Sequence, residues 1–195
     1  MTDPLITRWR AAFSDAVQRQ EDAERLKQAA TQGRLADWTA ALTSCVVATC
    51  REMGWVASAI GHKASLLPVD QSEYLAVDVM AFGDGAKRWR FPLAVAELEN
   101  SQSPDRIAYS LWKVLSVRAD LRIVFCYRRK PEDGPALVRF LESEVVQAME
   151  LAGRVCLEGE TVVVVGSTNE ADYFPYGFFR WWQLDSGTGR FSLIC

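Results

Sequence analysis

Three carboxylates on two apolar segments are the residues of this chain best suited to chemistry. Asp78 lies within residues 74–80, and Glu97 and Glu99 lie within residues 93–100; both segments are otherwise mostly apolar. An unpaired carboxylate is costly to bury in apolar surroundings, so three of them on neighbouring segments indicate a shared partner. A hard cation such as Mg²⁺ is the simplest partner, because it takes oxygen ligands and keeps several waters for chemistry.

Both segments are predicted to be β-strands, since they are short and rich in Val, Leu and Ala. In a strand, residues two apart share a face and lie about 6.5–7 Å apart along it. Glu97 and Glu99 can therefore approach one site, whereas Ala96 and Leu98 point to the opposite face of the sheet.

The position of Asp78 against the second strand depends on the connection between them. A tight two-residue hairpin at residues 84–85 would place Asp78 opposite Phe91, about 20 Å along the strand from Glu97. A shared site requires instead a loop of roughly ten residues over 83–92, which ends on a proline that cannot join a central ladder. Both connections are compatible with the sequence.

The remaining elements follow from hydrophobic periodicity. Strands are predicted over 121–127 and 161–165, and a terminal hairpin from two strands over 178–184 and 190–194. Helices are predicted over about 4–32, 37–53, 103–118 and 135–152.

The order of these elements predicts an α/β fold with a mixed β-sheet flanked by helices. An N-terminal helical arm over residues 1–33 would precede an α/β domain over 34–195. The second half of the arm is polar nearly all round, so it is expected to project or to contact a second copy.

Bulk properties exclude several function classes. The 195 residues are 49% apolar and carry a net charge of −3, as expected for a soluble globular protein that does not bind nucleic acid through overall charge. A single histidine, His62, and five cysteines without a Cys-x-x-Cys pair argue against zinc sites. Without a membrane-length apolar run or a signal-peptide pattern, the protein is predicted to be cytoplasmic, with no membrane partner.

The strand that carries Asp78, the strand that carries Glu-x-acid, and the helix and strand that follow resemble the PD-(D/E)XK nuclease superfamily, which has the restriction-endonuclease-like fold. The resemblance covers about residues 37–127. It implies that Asp78 is the metal-binding aspartate and Glu97 the second carboxylate. Glu99 falls where most members have lysine, although some members place glutamate there.

The resemblance also implies a reaction, hydrolysis of phosphodiester bonds in DNA or RNA. One or two Mg²⁺ or Mn²⁺ ions held by Asp78, Glu97 and Glu99 would lower the pKa of a bound water and stabilise charge on the scissile phosphate. Members often add an acid from the helix before the sheet, and Glu52 is the candidate ligand here.

Lys113, on the helix over 103–118, is the candidate to replace the missing motif lysine, because lysines can migrate to that helix in the superfamily. The helical wheel places Lys113 about opposite the apolar stripe that begins at Ile107. The wheel therefore favours a solvated or phosphate-contacting role for Lys113.

The same residues allow a second function class. Asp78, Glu97 and Glu99 could be structural, with a glutamate paired to an arginine at a sheet edge. The chain would then be a catalytically inactive binding or regulatory domain, which the absent motif lysine and the net charge of −3 favour. Carboxyl oxygens of Asp78 and Glu97 within about 4–5 Å of each other, in an open cleft, would favour the enzyme.

Apolar residues in the N-terminal helix predict a homodimer. Leu5, Trp9 and Phe13 recur at helical spacing. Since two-fold pairs are the commonest oligomers, we predict that this helix or the aromatic residues 173–179 supply part of the interface. A monomer with the helix folded back is the alternative.

Overall fold

Residues 3–194, which a computed structural model describes, form an α/β fold built on one seven-stranded sheet. The strands are β1 (Val56–Ala59), β2 (Val79–Phe82), β3 (Ala94–Leu98), β4 (Leu121–Arg128), β5 (Glu160–Ser167), β6 (Phe179–Asp185) and β7 (Arg190–Ile194). They lie in the sheet in sequence order. The β3–β4 and β4–β5 pairs are parallel and the other four are antiparallel, which confirms the predicted mixed sheet.

Helices cover both faces of this sheet. The helices within residues 3–194 are α1 (Leu5–Gln18), α2 (Gln20–Thr31), α3 (Leu35–Glu52), α4 (Pro104–Leu115), α5 (Gly134–Leu141) and α6 (Leu151–Val155). Short 3₁₀ turns span Tyr74–Ala76, Pro131–Asp133 and Thr168–Tyr173, and a π-helical turn spans Glu142–Val146. No helix in the described range is long and apolar enough to cross a membrane.

The strand residues alternate between two cores, as strand geometry requires. Ala94, Ala96 and Leu98 of β3 pack against the first three helices, whereas Val95 packs on the face covered by α4 and α5. Glu97 shares the parity of Val95, so β3 directs its acid toward the α4 side.

The N-terminal arm is two helices instead of one, because the backbone at Arg19 is extended (φ −59°, ψ 131°). This break returns α2 along α3 and buries Leu26 and Ala29. The predicted projecting arm is therefore wrong. The predicted helix over 135–152 is likewise interrupted, since α5 passes into the π-helical turn and ends there.

The β2–β3 connection is the long one. Residues 83–93 lie between the two strands, and Leu93 N–H already donates to the carbonyl of Ala81 at 2.8 Å. The tight hairpin at residues 84–85 is excluded. The segment that was predicted to be a strand over 74–80 is a 3₁₀ turn followed by Asp78, and β2 begins only at Val79.

Candidate functional site

Asp78 and Glu97 meet where β2 begins. The antiparallel register pairs Val79 with Ala96, and one further step along the ladder sets Asp78 opposite Glu97. Asp78 N–H donates to Glu97 Oε1 at 3.4 Å, and Leu98 N–H donates to Asp78 Oδ2 at 2.7 Å. Each carboxylate thus accepts a hydrogen bond from the backbone of the segment that carries the other acid.

Lys113 joins these acids from α4. Its Nζ lies 2.8 Å from Glu97 Oε2 and donates to the carbonyl of Ala76 at 2.6 Å, and its side chain is only 19% exposed. Ser110, one turn earlier on α4, donates to the same Glu97 oxygen at 3.3 Å. The helical-wheel expectation of a solvated Lys113 is therefore wrong: Lys113 starts away from the apolar stripe of α4, but its long side chain carries the ammonium back to the sheet.

Ser110 and the carbonyl of Ala76 are site groups that the sequence reasoning missed. Ser110 carries a recognisable signal, since it is a polar residue three before Lys113 and on the same helix face. The role of the Ala76 carbonyl has no signal in the sequence. Its position depends on the positive φ of Leu75 and Ala76 (56° and 53°), and Leu and Ala do not indicate such a conformation.

Burial dominates the electrostatics of the acids. Glu97 is 4% exposed, and burial raises its pKa to about 7 even though the hydrogen bond from Lys113 lowers it; the charge of Asp78 raises it further. Burial also raises the pKa of Asp78, against the lowering effects of the Leu98 N–H and of Lys113. The pKa of Glu73 rises through burial and through the charge of Asp78. The site holds its protons more tightly than exposed carboxyls do.

Glu99 lies at the edge of this cluster. It is half-buried just after β3, its N–H donates to the Phe125 carbonyl at 2.9 Å, and its Oε1 accepts from Ser101 N–H at 2.7 Å. Its charge raises the pKa of Asp78, so the two carboxylates interact.

The residue that follows Glu99 ties β3 to α3. Asn100 Nδ2 donates a hydrogen bond to the hydroxyl of Thr39, which lies in the first half of α3. The end of β3 that carries the acids is therefore anchored beside the N-terminal half of that helix.

Glu52 does not join the other acids. It is the last residue of α3, is exposed, and forms an ion pair with Arg19. Thr39 lies about 20 Å away along the helix at 1.5 Å per residue. The predicted metal ligand is therefore far from the acids and already has a cationic partner.

A cleft of about 580 Å³ opens beside Asp78. Asp78 and Glu73 line it together with the first half of α3 and the turn after β1. His62 contributes to this wall, with Nε2 3.1 Å from the hydroxyl of Ser44. Ser44 also donates to the carbonyl of Ala40 at 3.0 Å, so its proton is committed to the helix and the pair is not an activated nucleophile.

The predicted acids Asp78, Glu97 and Glu99 do not surround a common metal position. Within residues 3–194, no group of three or more His, Cys, Asp or Glu side chains is arranged around a metal position. Asp78 Oδ1 and Glu99 Oε2 accept no hydrogen bond from the described residues, whereas Glu97 is engaged by Lys113. Mg²⁺ is commonly held by one or two carboxylates with water completing the shell, and Asp78 and Glu99 are the residues that still have a carboxylate oxygen to offer such a cation.

Glu97→Gln is expected to remove a pH-dependent loss of stability. The pKa of Glu97 is about 7 in the folded chain and about 4.3 in an unfolded one. Between these values the folded chain binds more protons, so the free energy of unfolding falls as pH rises from about 4.3 to about 7, by up to about 3 kcal/mol. Urea denaturation across this range should show a flatter profile for the variant.

The matched control is Glu158→Gln, because Glu158 is exposed and paired only with the exposed Arg118. This control should reproduce the wild-type profile. A Glu97→Gln profile that is parallel to the wild-type one would contradict the assigned protonation of Glu97.

A comparison of the chain with family models, with curated proteins and with solved structures finds no match.

Proposed function

We propose that the chain is a Mg²⁺- or Mn²⁺-dependent hydrolase that cleaves phosphodiester bonds in nucleic acid, with a divergent restriction-endonuclease-like fold. The observation that carries this proposal is the convergence of Asp78, Glu97 and Lys113, which come from the start of β2, from β3 and from α4. Asp78 and Lys113 are 35 positions apart, and each contacts Glu97, Asp78 through its N–H and Lys113 through its ammonium. Together they supply the acid, acid and lysine that the resemblance implies.

The topology supports the same proposal. A helix, three antiparallel strands, a crossover helix and a parallel strand follow one another as α3, β1, β2, β3, α4 and β4. This is the element order on which the resemblance to the PD-(D/E)XK superfamily rests. Asp78 directly precedes β2, Glu97 lies on β3 and Glu99 directly follows it. In this proposal Lys113 on α4 stands in for the lysine that Glu99 replaces.

In this proposal the acids have separate roles. Asp78 and Glu99 would hold the cation through the carboxylate oxygens that accept no hydrogen bond from the described residues. Glu97 adds a third carboxylate next to the cation. When bound, the cation supplies positive charge at the scissile phosphate and acidifies water. Glu97 accepts hydrogen bonds from the Asp78 N–H and from Ser110 and is paired with Lys113, so it ties Asp78 to α4 beside the cation.

Lys113 orients Glu97 and places an ammonium where negative charge develops on the phosphate. Its second hydrogen bond, to the Ala76 carbonyl, holds the turn that precedes Asp78. Two residues with positive φ in that turn need such support, since each costs about 1 kcal/mol or more outside glycine. Lys113 therefore positions both acids.

A non-catalytic binding or regulatory domain is the second candidate. The observation in its favour is that both oxygens of Glu97 already accept hydrogen bonds within the protein, and the side chain is almost wholly buried. In this case the cluster would be a structural ion pair beneath a binding cleft. Cation binding at Asp78 separates the two candidates.

Asp78→Asn is expected to weaken Mn²⁺ binding by about tenfold or more, because one carboxylate charge is lost at a cation that has few protein ligands. The asparagine oxygen can still accept the Leu98 N–H, so the strand pairing should survive. Calorimetric titration with Mn²⁺ measures the affinity, and cleavage of labelled single-stranded and duplex oligonucleotides measures turnover.

Asp84→Asn, in the exposed β2–β3 loop, is the control and should bind Mn²⁺ like the wild type. If the wild-type chain binds no divalent cation at millimolar concentration, the hydrolase proposal fails and the binding domain stands. If Asp78→Asn binds Mn²⁺ as tightly as the wild type, the site lies elsewhere.

Assembly is a proposal of the same kind. In the described structure, Trp9 and Phe13 of α1 are buried against the chain's own sheet. They are therefore not available to a dimer interface. Tyr173 and Tyr176 remain exposed. A homodimer would therefore use the aromatic residues 173–179 in preference to α1.

A further inference from the structure

Two large aromatic side chains are exposed side by side on α4. Tyr109 is 61% and Trp112 56% exposed. Their ring centroids lie 5.9 Å apart and the ring planes differ by 17°, so the rings form one nearly flat stack. Neither ring belongs to the buried cores on the two faces of the sheet.

This aromatic stack adjoins the candidate site. Lys113 Nζ lies 5.8 Å from the centroid of the Tyr109 ring and 2.8 Å from Glu97 Oε2. The Lys113 ammonium therefore lies between the Tyr109 ring and Glu97.

A positively charged side chain, Arg106, extends the exposed face of α4 toward the start of the helix. Arg106 precedes Tyr109 by three residues, which places the two side chains on the same face of α4. The Arg106 side chain is exposed, and its guanidinium forms no ion pair or hydrogen bond with residues 3–194. The one acid of α4, Asp105, lies in the first turn, about two helical turns from Lys113.

We propose that Arg106, Tyr109 and Trp112 form a binding strip for single-stranded nucleic acid. An unpaired base would stack on the open face of the aromatic pair, with a neighbouring phosphate at Arg106. The inference rests on the proposed function and names its substrate class: strands with exposed bases, bound so that the next phosphate reaches Asp78 and Glu97.

The chemistry favours a single strand over the other occupants of such a surface. Stacking on an aromatic side chain requires a base with a free face, and bases inside a duplex are covered by their neighbours. A purely apolar protein partner would leave Arg106 without a counter-charge. A single strand offers both partners: unpaired bases can stack on the aromatic rings, and a phosphate can pair with the Arg106 guanidinium.

The test measures binding separately from cleavage. A short fluorescein-labelled oligodeoxythymidine is titrated in EDTA, so that metal-dependent cleavage cannot occur. The double variant Tyr109→Ala/Trp112→Ala is expected to lose about tenfold or more in affinity, since each base stacked on an aromatic side chain contributes about 1–3 kcal/mol. Wild-type affinity for a blunt duplex of the same length should be weaker than for the single strand.

Matched variants separate stacking from other effects. Tyr109→Leu/Trp112→Leu keeps the apolar surface and should lose affinity like the alanine pair. Trp89→Ala removes an exposed tryptophan from the β2–β3 loop and should bind like the wild type. Circular dichroism should show unchanged melting for all three, because the side chains replaced are exposed.

The outcomes distinguish the inference from the function on which it rests. Unchanged affinity of the alanine pair, or equal wild-type affinity for duplex and single strand, overturns the strip. A dimer that the alanine pair dissolves while oligonucleotide affinity stays unchanged also overturns it, and makes the surface a contact between copies. Loss of binding in a protein that never cleaves with Mn²⁺ supports the strip and rejects the hydrolase.

Discussion

Lys113→Met is expected to lower the free energy of unfolding by about 3 kcal/mol near pH 8 and by only about 1 kcal/mol near pH 5. Near pH 8 the wild-type Glu97 carboxylate is ionised and paired with Lys113, and the variant leaves it buried without a counter-charge. Near pH 5 the carboxyl is protonated in both proteins, so the variant loses the Lys113 hydrogen bonds to the Ala76 carbonyl and to Glu97 but leaves no buried charge unpaired. Chemical denaturation at the two pH values measures the difference.

The pKa of Glu97 should also rise above about 7 in this variant, because the ammonium that favours the charged form is gone. Cleavage of oligonucleotides should fall by about 10² or more if Lys113 positions the acids as proposed. Lys63→Met, which removes an exposed lysine paired with the exposed Asp70, is the control and should show neither effect. A stability loss of equal size at both pH values would show that the Lys113–Glu97 pair does not act through charge.

Phe13→Ala is expected to destabilise the protein by about 3–5 kcal/mol, the usual cost of emptying a buried phenylalanine site. Phe13 of α1 is fully buried, with ring centroids of Trp9, Phe125 and Phe179 at 5.2, 5.3 and 5.5 Å. These rings belong to α1, β4 and β6, so the cavity would loosen the helix from two strands at once. The midpoint of thermal unfolding should fall by about 10 °C.

Phe91→Ala is the matched control, since Phe91 is 76% exposed in the β2–β3 loop. Its effect on the unfolding free energy should stay within about 0.5 kcal/mol. If Phe13→Ala were equally mild while light scattering showed a dimer that dissociates in the variant, α1 would be an interface between copies instead of part of the chain's own core.

Several features of this protein are determined by local sequence. The alternation of Ala, Val and Leu with Glu in β3 places Glu97 and Glu99 on one face without reference to any other element. Helices α3 and α4 and the terminal hairpin follow from periodicity, from Ser103-Pro104 at a helix start, and from the Gly-containing turn before β7. The mixed sheet follows from the order of strands and helices, because parallel neighbours require a crossover.

The break at Arg19 and the isolation of Glu52 were decided by tertiary packing. The polar sequence around Arg19 is compatible with one long helix, but a bend there lets α2 bury Leu26 and Ala29 against α3. The periodicity of α3 correctly places Glu52 near an apolar stripe. Its distance from the acids depends on which end of α3 packs over β3, and helical periodicity carries no information about that.

The meeting of Asp78, Glu97 and Lys113 was decided in the same way. The β2–β3 loop is compatible in sequence with more than one register, and the register is selected because Val79 must enter one core while Met80 enters the other. The helical wheel gives the correct direction of the Lys113 Cα–Cβ bond around α4. It does not show where the end of the side chain lies. The flexible four-carbon side chain of Lys113 can reach a carboxylate that lies off its helix face. That carboxylate is Glu97, which comes within reach only when β3 packs against α4.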